Sequence, residues 1–146
     1  MGQNIDTAAP GGQPLSGIGF ARQRKDGWLA LETPLLNAEG TKAVVSDVRT
    51  VPMVFEGDEL LLNLDTGAVG SLAVELIDAA TGAPLPGFEL GSAVPIVANS
   101  LHARVEWRDA KTGVTSGDVS ALADKAVVLR FRATACRLFS FRFKRA

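Results

Sequence analysis

At 146 residues the chain is one domain by length, large enough to bury a core without covalent staples. Apolar residues make up 47% and charged residues 21%, and 15 basic against 16 acidic residues leave a net charge of −1. That balance argues against a general nucleic-acid binder, which would carry a basic excess, and the single cysteine, Cys136, excludes an intrachain disulfide.

Residues 1–14 are rich in Gly, Pro and small polar residues and read as a flexible tail or linker remnant. One sandwich domain is expected over residues 15–146, with order beginning near Gly17, Ile18 and Gly19. Residues 24–27 (Arg-Lys-Asp-Gly) carry the Asp-Gly turn signal, and Trp28 to Leu31 follow as a strand. Residues 43–48 and 51–55 predict two short strands broken near Pro52, a residue suited to an edge or a strand start. Over residues 59–65, Leu60, Leu62 and Leu64 face one way while Leu61, Asn63 and Asp65 face the other. Residues 71–78 repeat the alternation with Leu72, Val74 and Leu76 inward, and the intervening residues 66–70 predict a hairpin.

A long turn over 79–87 leads to Phe88, Glu89 and Leu90 and then to a loop over 91–99. Leu101, Ala103, Val105 and Trp107 share the inner face of the next strand, with His102, Arg104, Glu106 and Arg108 on the outer one. A helical turn is expected near Val119 to Asp124, capped by Ser116 or Asp118. In the last two strands Val127, Leu129, Phe131, Phe139, Phe141 and Phe143 point inward. Arg130, Arg132, Ser140, Arg142 and Lys144 point outward. About nine short strands, one helical turn and no βαβ spacing predict an all-β, antiparallel, two-sheet β-sandwich of jelly-roll type.

Catalytic chemistry has few places to reside. His102 is the only histidine, on a polar strand face beside Arg104 and Glu106, where it reads as an exposed strand residue with ligand contact as the alternative. With one His and one Cys far apart and no Cys-x-x-Cys pair, no transition-metal site is expected. No cofactor is expected either: the Gly17-Ile18-Gly19 run precedes a strand, where a dinucleotide fingerprint would open a helix. Cys136 reads as a small buried apolar residue. Trp107 reads as core by parity. Trp28, after the tight turn, reads as core with partial exposure as the alternative, and an exposed tryptophan could stack on a sugar ring. Arg104, Arg130, Arg132, Arg142 and Lys144 would form a basic stripe if the last strands are neighbours. It is either a solvated face paired with Glu75 and Glu106, or an interface to a partner or an anionic sugar.

The order of short motifs resembles a domain found at the C-terminal end of bacterial proteins whose body is a five-bladed β-propeller related to glycoside hydrolase family 32. The resemblance rests on Gly19-Phe20-Ala21, Arg24-Lys25-Asp26-Gly27-Trp28, Phe55-Glu56-Gly57, Asn63-Leu64-Asp65 and Val74-Glu75-Leu76-Ile77-Asp78. It continues through Pro84-Leu85-Pro86-Gly87-Phe88, the Trp107 strand, the Asp118-Val119-Ser120-Ala121-Leu122-Ala123 turn, Leu129-Arg130-Phe131 and Phe139-Ser140-Phe141. It covers nearly the whole chain from Gly17 to Phe143. The loop over residues 91–100 departs from the family's acidic pattern.

The resemblance implies a non-catalytic accessory module of a glycosidase-like protein, which docks to or stabilises its partner propeller or weakly binds carbohydrate. The rival expectation is a free-standing interaction protein that self-associates through a sheet face. No apolar run approaches the roughly 20 residues needed to span a bilayer, and no signal peptide is visible, so no membrane association is expected. An extracellular or periplasmic location would apply if the chain were part of a longer secreted protein.

Overall fold

A computed structural model of the chain describes residues 19–145, so the expected tail over 1–14 and the residues up to Ile18 lie outside the described part. The described residues form nine strands and one 3-10 turn, and seven of the strands build two sheets. The nine are β1 (Leu31–Thr33), β2 (Ser46–Arg49), β3 (Glu59–Asp65), β4 (Ser71–Asp78), β5 (Asn99–Arg104), β6 (Trp107–Arg108), β7 (Thr115–Ser116), β8 (Val127–Thr134) and β9 (Cys136–Lys144). The larger sheet has the order β1-β9-β3-β5 and the smaller β2-β8-β4, while β6 and β7 make a separate ribbon. All pairings between named strands are antiparallel.

The pairing is nested: β1 lies against β9, and β2 against β8. Successive strands therefore change sheets, which is the topology of a jelly roll. This corrects the hairpin expected around residues 66–70. β3 pairs with β5 and β9, whereas β4 pairs with β8, so residues 66–70 cross from one sheet to the other. Two adjacent amphipathic strands look the same in sequence whether they pair or face each other across the core. The closing crossover is tighter still, because the chain leaves β8 and enters β9 through Ala135 alone, at φ 44°. The two crossovers touch. A Cβ on Gly70 would lie 2.1 Å from the Ala135 carbonyl oxygen, 2.5 Å from that of Thr66 and 2.6 Å from that of Thr134. Only glycine lets the corners approach this closely.

The core lies between the sheets. Leu60, Leu62 and Leu64 of β3 and Leu72, Val74 and Leu76 of β4 are buried there with Leu129 and Phe131 of β8, as their alternation predicts. Trp107 is buried at the far edge, edge-on to Phe88 with ring centroids 5.0 Å apart. Its indole N–H donates to the Val74 carbonyl at 2.9 Å. That bond belongs to a series closing the outer edge of β4. The Leu72 amide donates to Ile96, the Leu76 amide to Phe88 and the Asp78 amide to Ala83. The irregular segment 83–96 thus stands in for a fourth strand, and this edge has few polar groups left to offer.

Bulges reverse the expected parity in two places. The ladder of β3 with β9 pairs Asn63 with Ser140 but Leu64 with Leu138, so one extra β9 residue is inserted at Phe139. Leu138 and Cys136 are consequently buried, Phe141 and Phe143 stay half-buried against the core, and Phe139 is displaced from the inward row. The ladder of β3 with β5 shifts between Leu62 and Leu64 in the same way, and Leu101 is exposed where an inward position was expected. The helical turn is also shorter than expected, Ser120–Leu122, and the Asp118 carboxylate accepts from the Ser120 amide at 2.8 Å.

Candidate functional site

The residues singled out for binding do not form one surface. β8 and β9 belong to different sheets, so the basic stripe is split. Arg130 and Arg132 lie on the smaller sheet, where both bond Asp47 of β2. Arg130 also reaches Glu75 of β4 at 3.0 Å. Glu75 is buried, and its other oxygen accepts the Leu90 amide at 3.0 Å, so this group ties the 83–96 segment to the sheet. The hydrogen bond from Arg130 is the largest effect on the Asp47 carboxyl; it outweighs the opposing effect of burial and, with a lesser bond from Arg132, holds the pKa below the usual carboxylate value. These positive charges are answered locally.

Arg104 and Arg142 lie on the larger sheet, both opposite Leu61 of β3. Arg104 pairs with Glu59 at 3.3 Å, and an Arg142 guanidinium nitrogen sits 3.1 Å from Nδ1 of His102. His102 and Arg142, with Lys25 and Asp26, border a notch of only about 20 Å³, room for a water molecule. Glu106 is half-buried after β5 and joins no ion pair with the arginines of the expected stripe; its carbonyl accepts the Val94 amide. Trp28 is not core: it is 87% exposed. Among the described residues no three His, Cys, Asp or Glu side chains come together as a metal-binding group. Burial, with a smaller contribution from Asp65, pushes the Cys136 thiol up to about 11, which disfavours the reactive thiolate.

Arg24, which sequence reasoning treated only as part of a turn, organises the region. Its Nε donates to the Asn63 side chain at 2.6 Å and its Nη2 to the carbonyls of Leu64 at 3.0 Å and Ser100 at 2.6 Å. Nη1 meets the Asn99 side-chain oxygen at 2.5 Å, and the guanidinium lies 4.8 Å from the Phe139 ring centroid. Asn63, buried on the outer side of β3, also donates to the Lys25 carbonyl at 2.7 Å. The charged fork thus fills the place where both neighbouring ladders shift register, and it pins residues 24–27 across the face of the larger sheet.

That pin has a geometric consequence. The chain must descend from the middle of the sheet face to its edge within a few residues, so β1 pairs with β9 only from Leu31 to Thr33. Beyond Leu138, among the described residues, no strand pairs with that side of β9. There the sheets part around a cleft of about 530 Å³, lined by Leu29, Leu31, Val48, Phe131, Leu138 and Phe141 together with Ala30, Arg49, Thr50, Phe139 and Ser140. The volume falls in the range of ligand pockets, and the lining is mostly apolar. Trp28, Leu29 and Val51 stand exposed in the segments flanking it. The sequence signal that could have found this place is Pro34, which ends β1 after three residues, set against a nine-residue final strand.

No family model, curated protein or solved structure matches this chain. No helix among the described residues is long and apolar enough to cross a membrane.

Proposed function

We propose that this chain is a non-catalytic β-sandwich accessory module that docks onto a partner domain through the cleft beside β1 and β9. The observation carrying this reading is an apolar cleft of about 530 Å³ bordered by exposed Trp28 and Leu29, a grouping that a soluble surface does not need. The motif order set out above makes a glycosidase-like five-bladed propeller the partner to test first. Hydrogen exchange of the chain, alone and mixed with such a purified propeller domain, is the direct experiment. Protection is expected around residues 28–31, 48–51 and 138–141. Unchanged exchange there, with a complex formed elsewhere or not at all, refutes the reading.

Carbohydrate is the second reading, and the exposure of Trp28 favours it, because a stacking ring must be open to solvent. A glycan array with the chain and its Trp28→Ala variant tests it. Loss of a positive signal in the variant supports sugar stacking, and an array that stays blank removes it.

A further inference from the structure

We infer that the notch on the outer face of the larger sheet binds a sugar carboxylate, the acid group of a uronic acid residue. This rests on the carbohydrate reading and specifies its chemistry. Two elements meet at the notch. Leu61 pairs with Arg142 and Asn63 with Ser140, so these four side chains share the face turned away from the core. Residues 24–27 cross the same face, held by the bonds of Arg24 and by the Asn63 amide, which donates to the Lys25 carbonyl at 2.7 Å. The anchored turn brings Lys25 and Asp26 to the notch together with His102, Ser140 and Arg142. Asp26 stands at φ 55°, a conformation that short polar side chains tolerate and that the anchored turn maintains. The backbone carrying these groups is therefore fixed before a ligand arrives, which lowers the cost of binding. Trp28, the exposed ring behind the carbohydrate reading, follows Asp26 by two residues.

The groups lining the notch differ in kind, and together they select a ligand. Arg142 has only N–H groups to offer, so its 3.1 Å contact with His102 makes Nδ1 the acceptor and leaves the proton of the neutral ring on Nε2. That contact ties β9 to β5 across β3. Lys25 and Arg142 are two cations against the one carboxylate of Asp26, so the lining favours an anion. The space, about 20 Å³, suits one carboxylate oxygen and is too small for a sugar ring, which would lie outside it. Asp26 then needs a donor. The Ser140 hydroxyl reaches it only at a long 3.4 Å, and a ligand hydroxyl beside the entering carboxylate would serve it better. A uronic acid carries both groups on one ring. Sulfate would leave Asp26 facing an anion, so the residue that accepts a hydroxyl also rejects a bare anion.

The test is a titration of the isotope-labelled 146-residue chain with galacturonate, read by amide chemical shifts. Saturable shifts are expected at Lys25, Asp26, His102 and Arg142 in the millimolar range. Galactose, which lacks the carboxylate, acetate, which lacks the hydroxyls, and sulfate should each bind about tenfold more weakly or worse. Lys25→Gln and Arg142→Gln, both at exposed positions, should each weaken galacturonate about tenfold while the signals of the core stay in place. Lys111→Gln, the same charge change in an exposed loop, should leave the affinity unchanged. Trigalacturonate binding more tightly than the monomer supports a polysaccharide as the source of the acid, and equal binding supports a free uronate. No saturable shift at these residues, sulfate binding as tightly as galacturonate, or indifference to Arg142→Gln overturns the inference. If a glycan array gives a signal that Trp28→Ala removes, while galacturonate leaves the notch untouched, the carbohydrate reading stands and this site falls. A blank array together with no galacturonate binding ends both.

Discussion

Replacing Arg24 by Met keeps the aliphatic stem and removes the charged fork that holds residues 24–27 on the larger sheet. Four hydrogen bonds end on that fork, three of them to Asn63, Leu64 and Ser100 and one to Asn99. Hydrogen bonds from charged donors contribute about 1.5–3 kcal/mol each, but their simple sum is an upper bound. Asn99 is exposed and the bonds to the Leu64 and Ser100 carbonyls are only part-buried, so water replaces the guanidinium at most of these acceptors. Asn63 is the exception, at 4% exposure, and its carbonyl oxygen would lose its charged donor.

The expected loss for Arg24→Met is therefore about 2–4 kcal/mol, dominated by one buried acceptor and by release of the pinned turn. Urea unfolding in a Trp28→Phe background reads it, because buried Trp107 then reports alone. A double-mutant cycle with Asn63→Ala should give a coupling of about 1–2 kcal/mol. Proteolysis after Arg22 and Lys25 should accelerate in the variant. A loss below about 0.5 kcal/mol, or additive single mutants, would refute the claim that Arg24 holds the segment through Asn63.

Gly70→Ala should cost at least about 3 kcal/mol or prevent folding, since its Cβ meets three backbone carbonyls and none of them is the end of a flexible side chain; thermal melts decide it. Phe131→Ala should cost about 3–5 kcal/mol and half-buried Phe141→Ala clearly less, because Phe141 lines an open cleft; equal losses in urea would show that the cleft is closed in solution. Asp47 has a depressed pKa in the folded state, so the unfolded chain takes up that proton first as pH falls. Its contribution is complete above the ordinary carboxylate range and is lost as pH drops through the folded value. Asp47→Asn should therefore flatten the acid limb of a plot of stability against pH, and an unchanged limb would show that the Arg130 and Arg132 bonds are not maintained. Cys136 should resist thiol reagents at about pH 8 in the native state and react once unfolded, as burial and its raised pKa require.

Strand content, the inner rows of β3, β4 and β8, the burial of Trp107 and the closing helical turn follow from the sequence. Period-two alternation is a local property, and a strand such as Glu59–Asp65 carries it in its own residues. Alternation says nothing about which strand lies beside which. The segment from Glu59 to Asp78 therefore reads equally well as a hairpin or as two strands facing each other, and only the nested pairing of β1 with β9 and β2 with β8 decides between them. Bulges are equally silent in the sequence. One extra residue at Phe139 and a matching shift near Leu101 moved two apolar side chains off the core face, because the partner strand's register determines where a ladder slips. The basic residues were visible, but their grouping was not, since Arg130 and Arg142 sit on separate sheets although their strands adjoin in sequence. The cleft beside β9 was least visible of all. It exists because Arg24, far away along the chain, bonds to Asn63 and holds the approach to β1 over the sheet face, a long-range contact that no local pattern encodes.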